Sequence, residues 1–525
     1  MRRAVAVAGV VTLIAALVAV PLAELARLAA AAGTGGIRQA LDAPGAAAAI
    51  AHTVEVAVAV TVLAVASGTA LALAVERRPP RARRPLRLLV AAPLVIPEFV
   101  LGFAWSQAYG PVGLSARLAG LTLPGLLGPA GVVAVLTVYG MPLAYLAVTA
   151  GLATRADPAA ERAARAAGAG PWTTLRTITL PLLRVPLLAA AALVFVLAAG
   201  SFAVPQVLGT PDGFAMLSTL VYTDLQQSAA FTSVAVLALV MVVLVLLAVA
   251  PLDVWLTRPG PAVRPEIPPV PPPGGAVVVT VVVWLYATFA AGIPLLTLVL
   301  TALTKGQGLA PVPANWTLAN VAAGFAGGGV AALLRSLGLA LAAALLAPAL
   351  GAAVAALGRG RWRAPLATLV TVSFAIPGSA LAVGLAVGYG RWLDGTAALI
   401  GLAYVAKFWV LGHRTAQAAL DRLPPGLTRA ARLCGAGPLT AARTVVFPPL
   451  STAAGTAALL VFVFAFHELT MSTILYGPGS ETFAVVIMNS EDLGGTGTTA
   501  ALALVLTLPP LLAAVPLLRH RWWSS

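Results

Sequence analysis

The chain has few charged residues for its length. Asp, Glu, Lys and Arg make up only 9% of the 525 residues, whereas hydrophobic residues make up 60%. A water-soluble fold could not cover its surface with so few charges, so this composition excludes a soluble globular protein and is typical of a polytopic membrane protein. The net charge of +15 does not indicate a nucleic-acid partner, because the arginines lie in short blocks between apolar runs.

Cysteine, lysine and histidine are also scarce, and each scarcity narrows the possible functions. Cys434 is the only cysteine, which excludes an internal disulfide. The chain has no G-x-x-x-x-G-K-[ST] motif, and Lys305 and Lys407 are its only lysines. If the protein uses ATP, a separate ATPase must therefore hydrolyse it. A membrane-embedded enzyme needs clustered catalytic groups, but the four histidines are scattered: they are His52, His413, His467 and His520.

Long apolar runs, by contrast, are abundant. A spanning helix needs about 20 mainly apolar residues, and the sequence predicts twelve such helices in two sets of six. The first run could be a cleaved signal peptide, but it is longer than the apolar part of one, which favours a retained span. The predicted spans lie near 4–26, 50–75, 87–108, 130–153, 185–208, 231–256, 276–302, 332–357, 364–390, 395–412, 451–474 and 497–518.

The predicted fold is therefore an all-α integral membrane protein with two six-span halves. A proline-rich stretch at 258–275 predicts a semi-rigid linker between a first half over 1–257 and a second half over 276–525. The positive-inside rule sets the orientation. With the N-terminus inside, 25 of the 32 Lys and Arg residues lie on the cytoplasmic side, so both termini are predicted to be cytoplasmic.

One polar stretch occurs twice. "RAARAAGAGPWTTLRTITLP" begins at Arg162 and "RAARLCGAGPLTAARTVVFP" begins at Arg429, with 12 of 20 positions identical and a separation of about half the chain. Both copies lie in predicted cytoplasmic loops, near 157–184 and 421–449. Ordinary basic loops are the alternative interpretation, but loops without a partner have little reason to keep a glycine, a turn and a proline in register.

The repeated stretch predicts a short helix-turn-helix. In the first copy, Asp157 followed by Pro158 signals a helix start, and Gly168 can end that helix in a left-handed conformation. A Gly-Pro pair then starts a second short helix in each copy. The second copy keeps the glycine, at Gly435, but enters its first helix through "LPPG" at 423–426.

This spacing resembles the EAA signature of ABC-transporter permeases, which is a Glu-Ala-Ala, a glycine four residues after the last alanine, and then Ile-x-Leu-Pro. Arg162 and Arg429 replace the signature's glutamate, although Glu161 precedes the first of them. In this family the short helix inserts into a groove on a cytoplasmic ATPase and couples ATP hydrolysis to opening of the membrane path. The residues that the resemblance assigns to this coupling are Glu161, Arg162, Ala163, Ala164, Gly168 and Pro181 in the first loop and Arg429, Ala430, Ala431, Gly435 and Pro448 in the second.

The resemblance also implies partners and a location. Two loops imply two copies of a cytoplasmic ABC ATPase, which would carry ATP and Mg²⁺, while this chain binds no cofactor and catalyses no reaction itself. A periplasmic or lipid-anchored binding protein would deliver the cargo, and the polar stretch at 477–495 is the candidate docking surface. The expected location is the bacterial inner membrane, in contact with lipid and not with nucleic acid.

The segments that follow the two loops, 180–209 and 447–489, resemble the fused permeases of iron(III) importers. Permeases for thiamine, phosphonate, polyamine and sulfate share this architecture and remain alternative cargos. An ion-coupled secondary transporter is the alternative from another class. It would also contain a repeat, but it should carry carboxylate or histidine relays inside the membrane and would not need helix-turn-helix loops. A non-specific channel would leave the repeated loops unexplained.

Ionisable residues inside a bilayer are costly and therefore candidates for function. Glu98 lies in "VIPEFV", where proline breaks a helix and exposes backbone to a water-lined path, and extending the alignment of the two copies pairs Glu468 with Ser201. Hard Fe(III) prefers carboxylate and hydroxyl oxygens, but an importer must release its cargo, so no tight metal site is expected. The predicted path residues are Glu98, Ser201, His467 and Glu468, whereas His52, Glu55 and Lys407 are weaker candidates.

Overall fold

The computed structural model describes residues 2–78, 80–228, 231–256, 275–358, 363–424 and 426–519. These residues are almost entirely helical, and the only strand-like pairing among them is a single bridge between Thr304 and Trp316. The all-α prediction is therefore confirmed. The predicted linker at 258–275 lies outside the described residues except for Gly275.

The helices divide between the two predicted halves. The first half contains α1 (Arg2–Ile14), α2 (Val20–Ala31), α3 (Gly33–Leu41), α4 (Ala46–Glu76), α5 (Pro80–Val95), α6 (Glu98–Tyr109), α7 (Leu114–Ala119), α8 (Pro129–Arg155), α9 (Pro158–Ala166), α10 (Pro171–Thr174), α11 (Leu180–Leu182), α12 (Arg184–Gly200), α13 (Leu217–Ser228) and α14 (Phe231–Leu256). The second half contains α15 (Ala276–Ala287), α16 (Ile293–Leu303), α17 (Ala319–Phe325), α18 (Gly329–Leu357), α19 (Arg363–Ala375), α20 (Gly378–Leu393), α21 (Ala397–Asp421), α22 (Leu427–Leu433), α23 (Pro438–Ala441), α24 (Phe447–Phe466), α25 (Thr470–Leu475), α26 (Phe483–Asp492) and α27 (Thr496–Arg519).

The number of membrane spans is close to the prediction. Among the described residues, eight helical stretches are long and apolar enough to cross a membrane, and three bent helix pairs bring the number to at most eleven. The sequence predicted twelve. The twelfth is α21, which is long enough, but its side chains Lys407, His413 and Arg414 lower its mean hydropathy.

Two predicted spans are broken rather than straight. The helix pair α5 and α6 bends by 96°, and the pair α19 and α20 bends by 101°. Pro97 and Pro377 stand at these breaks in an extended conformation, with ψ of 141° and 149°. Proline lacks the N–H that would continue the preceding helix. The span predicted near 87–108 therefore breaks at Pro97, as its sequence indicated, whereas the continuous span predicted near 364–390 is wrong in this respect.

The spans that follow the two repeat loops are also interrupted. The prediction extended them to 208 and 474, but α12 ends at Gly200 and α24 ends at Phe466. Each is followed by a short non-helical stretch before the chain turns helical again at Ala203 and Thr470. Each half therefore contains two breaks, one after α5 or α19 and one after α12 or α24.

Four π-helical turns accommodate prolines. They lie at Ala15–Ala19, Leu175–Thr179, Thr288–Gly292 and Ala442–Val446. A proline follows each turn by two residues, so the carbonyl four residues before the proline lies at the centre of the turn. A proline ring would clash with that carbonyl in a regular α-helix, and the wider turn removes the clash. These prolines are Pro21, Pro181, Pro294 and Pro448.

The first span of each half packs on the other half. In one direction α2 lies against α20, and Tyr389 Oη donates a hydrogen bond to Ala16 O at 2.7 Å. In the other direction α16 lies against α6, and Trp105 Nε1 donates to Ala290 O at 3.0 Å. Buried residues of both halves consequently form one continuous core. The broken helices α6 and α20 are thus each held by a helix from the opposite half.

Candidate functional site

The first helix of each repeat loop ends in the same way. Gly168 and Gly435 are left-handed, with φ of 88° and 87°. Each donates its N–H to the carbonyl three residues earlier at 3.0 Å, and the next residue donates to the carbonyl five residues earlier, at 2.9 Å in the first loop and 3.0 Å in the second. These two bonds satisfy carbonyls at the helix end, and glycine adopts the required conformation without steric cost. The repeat therefore preserves a specific turn.

The two helices begin differently, in keeping with their different sequences. The Asp157 side chain accepts hydrogen bonds from the N–H groups of Ala159 and Ala160 at 3.0 Å each, which satisfies two free amides at the start of α9. The helix α22 instead begins after Gly426, which has φ of 102° and offers no side-chain cap. The helices α9 and α22 thus begin with different capping residues, although they end in the same turn.

Most residues that the resemblance assigns to ATPase coupling are accessible. In the first loop Arg162, Ala163, Gly168 and Pro181 are exposed, and Ala164 is half-buried. Their counterparts in the second loop show the same pattern: Arg429, Ala430, Gly435 and Pro448 are exposed, and Ala431 is half-buried. The same face of the helix is therefore presented in both loops.

Glu161 differs from the other loop residues because it points into the protein. It is only 4% exposed, and its carboxylate accepts hydrogen bonds from Arg77 Nη2 at 2.8 Å and from Thr179 Oγ1 at 2.6 Å. Arg77 follows α4, and Thr179 ends the π-helical turn of the same loop. Glu161 therefore ties the first loop to α4 and does not present its charge outward.

A second buried charge cluster adjoins Arg77. Its neighbour Glu76 accepts two hydrogen bonds from Arg87 on α5, at 2.9 and 2.5 Å, and one from Tyr145 Oη on α8, at 2.5 Å. Arg83 Nη1 lies 3.8 Å from the same carboxylate. Sequence reasoning missed both clusters. The available signal was an acidic residue at the end of an apolar run, immediately before the arginine-rich stretch at 77–87.

The structure brings Glu98 and Ser201 together, although they are 103 residues apart. Glu98 is the first residue of α6, directly after the break at Pro97, and Ser201 Oγ donates a hydrogen bond to its carboxylate. The backbone N–H of Val204 donates to the same carboxylate. Glu98 remains partly accessible, whereas its neighbour Phe99 is 3% exposed. The carboxylate therefore joins the two breaks of the first half.

Glu468 lies at the second break of the other half. Its carboxylate accepts hydrogen bonds from the N–H groups of Met471, at 2.9 and 3.0 Å, and Ser472, at 3.1 Å, at the start of α25. A Cβ placed on Gly378, the first residue of α20, would lie 3.9 Å from Glu468 Oε1. Glu468 is also partly accessible. Both halves therefore place one carboxylate where their two breaks meet.

His467 and Lys407 lie beside this carboxylate. His467 is partly exposed, but its Nε2 atom is buried and has no hydrogen-bond partner among the described residues. Lys407 Nζ donates to Ile376 O, the last carbonyl before Pro377, at 2.5 Å, and it interacts electrostatically with Glu468. The ammonium group of Lys407 is therefore occupied at the second-half break.

His52 and Glu55 lie in the first three turns of α4. His52 Nδ1 lies 2.9 Å from the carbonyl oxygen of Ala215, before α13, and Thr53 Oγ1 accepts a hydrogen bond from the N–H of Leu217, the first residue of α13. On α18, Arg335 donates a hydrogen bond to the Glu481 carbonyl before α26, and Ser336 Oγ accepts one from the N–H of Phe483, the first residue of α26. Glu55 is exposed on the outer face of α4. His52 therefore binds the segment before α13, whereas Glu55 faces outward.

The candidate path residues do not form a metal cage. Among the residues that the structure describes, no group of three or more His, Cys, Asp and Glu side chains could hold a metal ion. Glu98 is bound by a hydroxyl and an amide, and Glu468 by amides and the Ser472 hydroxyl. Neither carboxylate therefore belongs to a closed coordination sphere.

Comparison with protein families gives a match that covers both halves. The matched family is the binding-protein-dependent transport system inner membrane component, and it aligns with residues 39–261 and 347–519. The first stretch contains the loop at 157–184, and the second contains the loop at 421–449. The duplicated polar stretch thus lies in two copies of one domain type.

Curated relatives carry names of the same kind. The "Probable ABC transporter permease protein y4fN" of Sinorhizobium fredii (strain NBRC 101917 / NGR234) is 27% identical over 457 residues, which cover 81% of this chain and 78% of the relative. The molybdenum transport system permease protein ModB of Azotobacter vinelandii is 35% identical over 169 residues, or 31% of this chain and 72% of the relative. The trehalose transport system permease protein SugB of Mycobacterium tuberculosis (strain CDC 1551 / Oshkosh) is 34% identical over 113 residues, or 21% and 41%.

Proposed function

This chain belongs to the family of binding-protein-dependent transport system inner membrane components and is an ABC transporter permease subunit, and on that premise we propose that it carries iron(III) into the cell. A separate ATPase supplies the energy, one copy at each repeat loop, and an external binding protein delivers the cargo. Alternating access of the two halves moves the cargo past the broken helices.

The duplicated turn at Gly168 and Gly435 is the observation that carries the ATPase part of the proposal. Both loops keep the same left-handed closure and expose the same helix face, although they begin differently. A secondary transporter would have no use for two such elements on the arginine-rich side. The 25 Lys and Arg residues assigned to that side support a cytoplasmic position for both loops.

Charge at the breaks supports a cationic cargo. Glu98 and Glu468 are partly accessible residues that place a carboxylate at each break, whereas the nearby ammonium group of Lys407 is engaged by Ile376 O and the charge of Glu468. Carboxylates attract cations and repel phosphonate or sulfate, and their hard oxygens suit Fe(III). Broken helices line transport sites in other transporter folds, because unwound backbone is tolerated only beside protein or water.

The test is uptake of radiolabelled Fe(III) by iron-starved cells with and without this chain. A parallel sample has its ATP pool depleted while its proton gradient is maintained. We expect uptake to be lost both in cells without the chain and in cells whose ATP pool is depleted. Uptake that survives ATP depletion but not loss of the proton gradient would favour a secondary transporter. Unchanged iron uptake without the chain would overturn iron(III) as the cargo and favour thiamine, phosphonate, polyamine or sulfate.

A further inference from the structure

The two repeat loops are anchored to the rest of the protein by different forces. In the first loop the buried Glu161 carboxylate holds Arg77 at 2.8 Å and Thr179 at 2.6 Å. The residues that align with Glu161 and Thr179 in the second loop are Thr428 and Val446, and neither can form an ion pair. The first helices of the two loops therefore end in the same glycine turn, but different contacts attach the two loops to the rest of the protein.

The second loop is attached by apolar contacts. Val446, from its π-helical turn, and Leu450, from the start of α24, pack against a small cluster of buried residues. That cluster consists of Ala355 at the end of α18 and of Ala416 and Leu420 near the end of α21. Apolar contacts are non-directional, so such surfaces can slide over one another with little change in energy. A buried ion pair with fixed hydrogen-bond geometry cannot slide in this way.

The attachment of the first loop continues toward a broken helix. Arg77 is adjacent in the chain to Glu76, and Glu76 holds Arg87 on α5 through two hydrogen bonds. The same helix ends at Val95, and Glu98 begins α6 after the break. A series of charged contacts and the helix α5 therefore joins the first loop to the break that precedes Glu98.

We propose that Glu161 is a positioning residue, which with Arg77 transmits movement of the first loop to the α5–α6 break, while the second loop acts through sliding apolar contacts. This inference rests on the proposed function, because it assumes that an ATPase moves both loops. It makes the two loops unequal: loss of the ion pair should uncouple the first-half break from ATP and leave the second-half break coupled.

The direct test measures each break separately and needs no knowledge of the cargo. In a Cys434→Ala background, a reporter cysteine is introduced as Ser201→Cys for the first half or as Gly378→Cys for the second. Rates of reaction with N-ethylmaleimide are measured in membranes that contain the assembled complex, with and without ATP and vanadate. The parent chains should show an ATP-dependent rate change at both positions; a parent without any change would contradict the proposed function itself.

Glu161→Gln is the main variant, since it removes the charge and keeps the shape. It should reduce the ATP-dependent change at position 201 by at least about fivefold, the lower end of typical coupling effects, and leave the change at position 378 intact. Arg77→Gln should do the same, and Thr179→Val, which removes only one hydroxyl, should have a smaller effect. Thr428→Val is the matched control in the second loop and should alter neither position.

Two outcomes distinguish positioning from a merely structural role. Exchange of the charges, as Arg77→Glu with Glu161→Arg, should restore the change at position 201, whereas a general loss of folding would not be restored. Equal losses at both positions, or no loss at either, in correctly assembled Glu161→Gln complexes would overturn the proposal. The amount of ATPase that co-purifies with each variant shows whether assembly is intact.

Discussion

Glu98 and Glu468 occupy corresponding places in the two halves, although they come from different elements. Glu98 begins α6 and accepts a hydrogen bond from the N–H of Val204, while Glu468 precedes α25 and accepts one from Met471, which aligns with Val204 in the repeat. Ser201 stands at the sequence position of Glu468 and binds Glu98. Each half thus has one carboxylate where its two breaks meet. In the first half it belongs to the helix after the first break, and in the second half it belongs to the stretch before α25.

The first half should therefore still transport when its carboxylate is moved from position 98 to position 201, the position that matches Glu468. Glu98→Gly should lower Fe(III) uptake by about tenfold or more, equivalent to about 1.4 kcal/mol, because it removes a carboxylate from the path. Glu98→Gly combined with Ser201→Glu should recover most of the uptake, since the new carboxylate stands where Glu468 does. Glu55→Gln, on the outer face of α4, is the control and should transport normally. A double variant no better than the single one would refute the equivalence.

The glycines that close the loop helices should not tolerate side chains. Gly168→Asp and Gly435→Asp force an ordinary residue into a left-handed conformation at a cost of about 1 kcal/mol each, and they add a negative charge to the exposed turn. Nothing in the described chain lies within 4 Å of a Cβ at either position, so the protein should stay folded but lose ATPase co-purification.

Gly170→Asp provides the matched control for this loss. Gly170 lies two residues further on, has an ordinary φ of −68° and is equally unobstructed. It should therefore retain more of the ATPase than Gly168→Asp does. Undiminished co-purification of the double variant at positions 168 and 435 would contradict the assignment of these helices.

The buried and exposed ion pairs should differ in their effect on stability. Arg87→Met leaves the Glu76 carboxylate without its bidentate partner and should lower the free energy of unfolding by about 3 kcal/mol. Arg38→Gln breaks a pair with Asp42 whose side chains are 85% and 68% exposed, and it should change stability by less than about 0.5 kcal/mol. Thermal unfolding in detergent measures both. Equal effects would show that the Glu76 cluster is not buried in the folded protein.

The free energy of unfolding should depend on pH because of Glu491, which lies in α26, a helix that is not among the candidate membrane spans. Burial raises the pKa of Glu491 from 4.5 to about 7, and the neighbouring charge of Asp492 adds to the shift. A carboxyl with a higher pKa in the folded state stabilises the fold below its unfolded pKa, and this contribution is lost as the pH rises through the folded value. The free energy of unfolding should therefore fall between pH 4.5 and about 7, and Glu491→Gln should weaken this dependence. An identical slope in both proteins would contradict the assignment.

Local features of the fold were predictable because they depend on neighbouring residues. Gly168, Asp157 and the Gly-Pro pairs determine turns within a few positions of themselves, and their duplication revealed the two halves. Apolar run length likewise located the spans. The sequence indicated the break at Pro97 but not the one at Pro377, since many prolines are accommodated within membrane helices, as Pro142 is in α8 and Pro348 in α18.

Contacts between distant segments were not predictable from one sequence. Glu161 was assigned to ATPase coupling from its place in the motif, but its partner Arg77 lies 84 residues away and draws it inward. Glu98 and Ser201 were proposed separately, yet only the fold shows that they bind each other. Nothing in local spacing shows which helix faces another, so the pairing of charges becomes visible only in three dimensions.

The most direct test of the account uses the single native cysteine. Cys434 is exposed at the end of α22, and Ala167 is its counterpart in the first loop. A maleimide–benzophenone label is attached at Cys434, or at position 167 in a chain that carries Ala167→Cys and Cys434→Ala, and membranes are irradiated. We predict that both labels form an adduct with a polypeptide that carries a G-x-x-x-x-G-K-[ST] motif. Efficient labelling without such an adduct at either position would contradict the central claim that these two loops receive the ATPase.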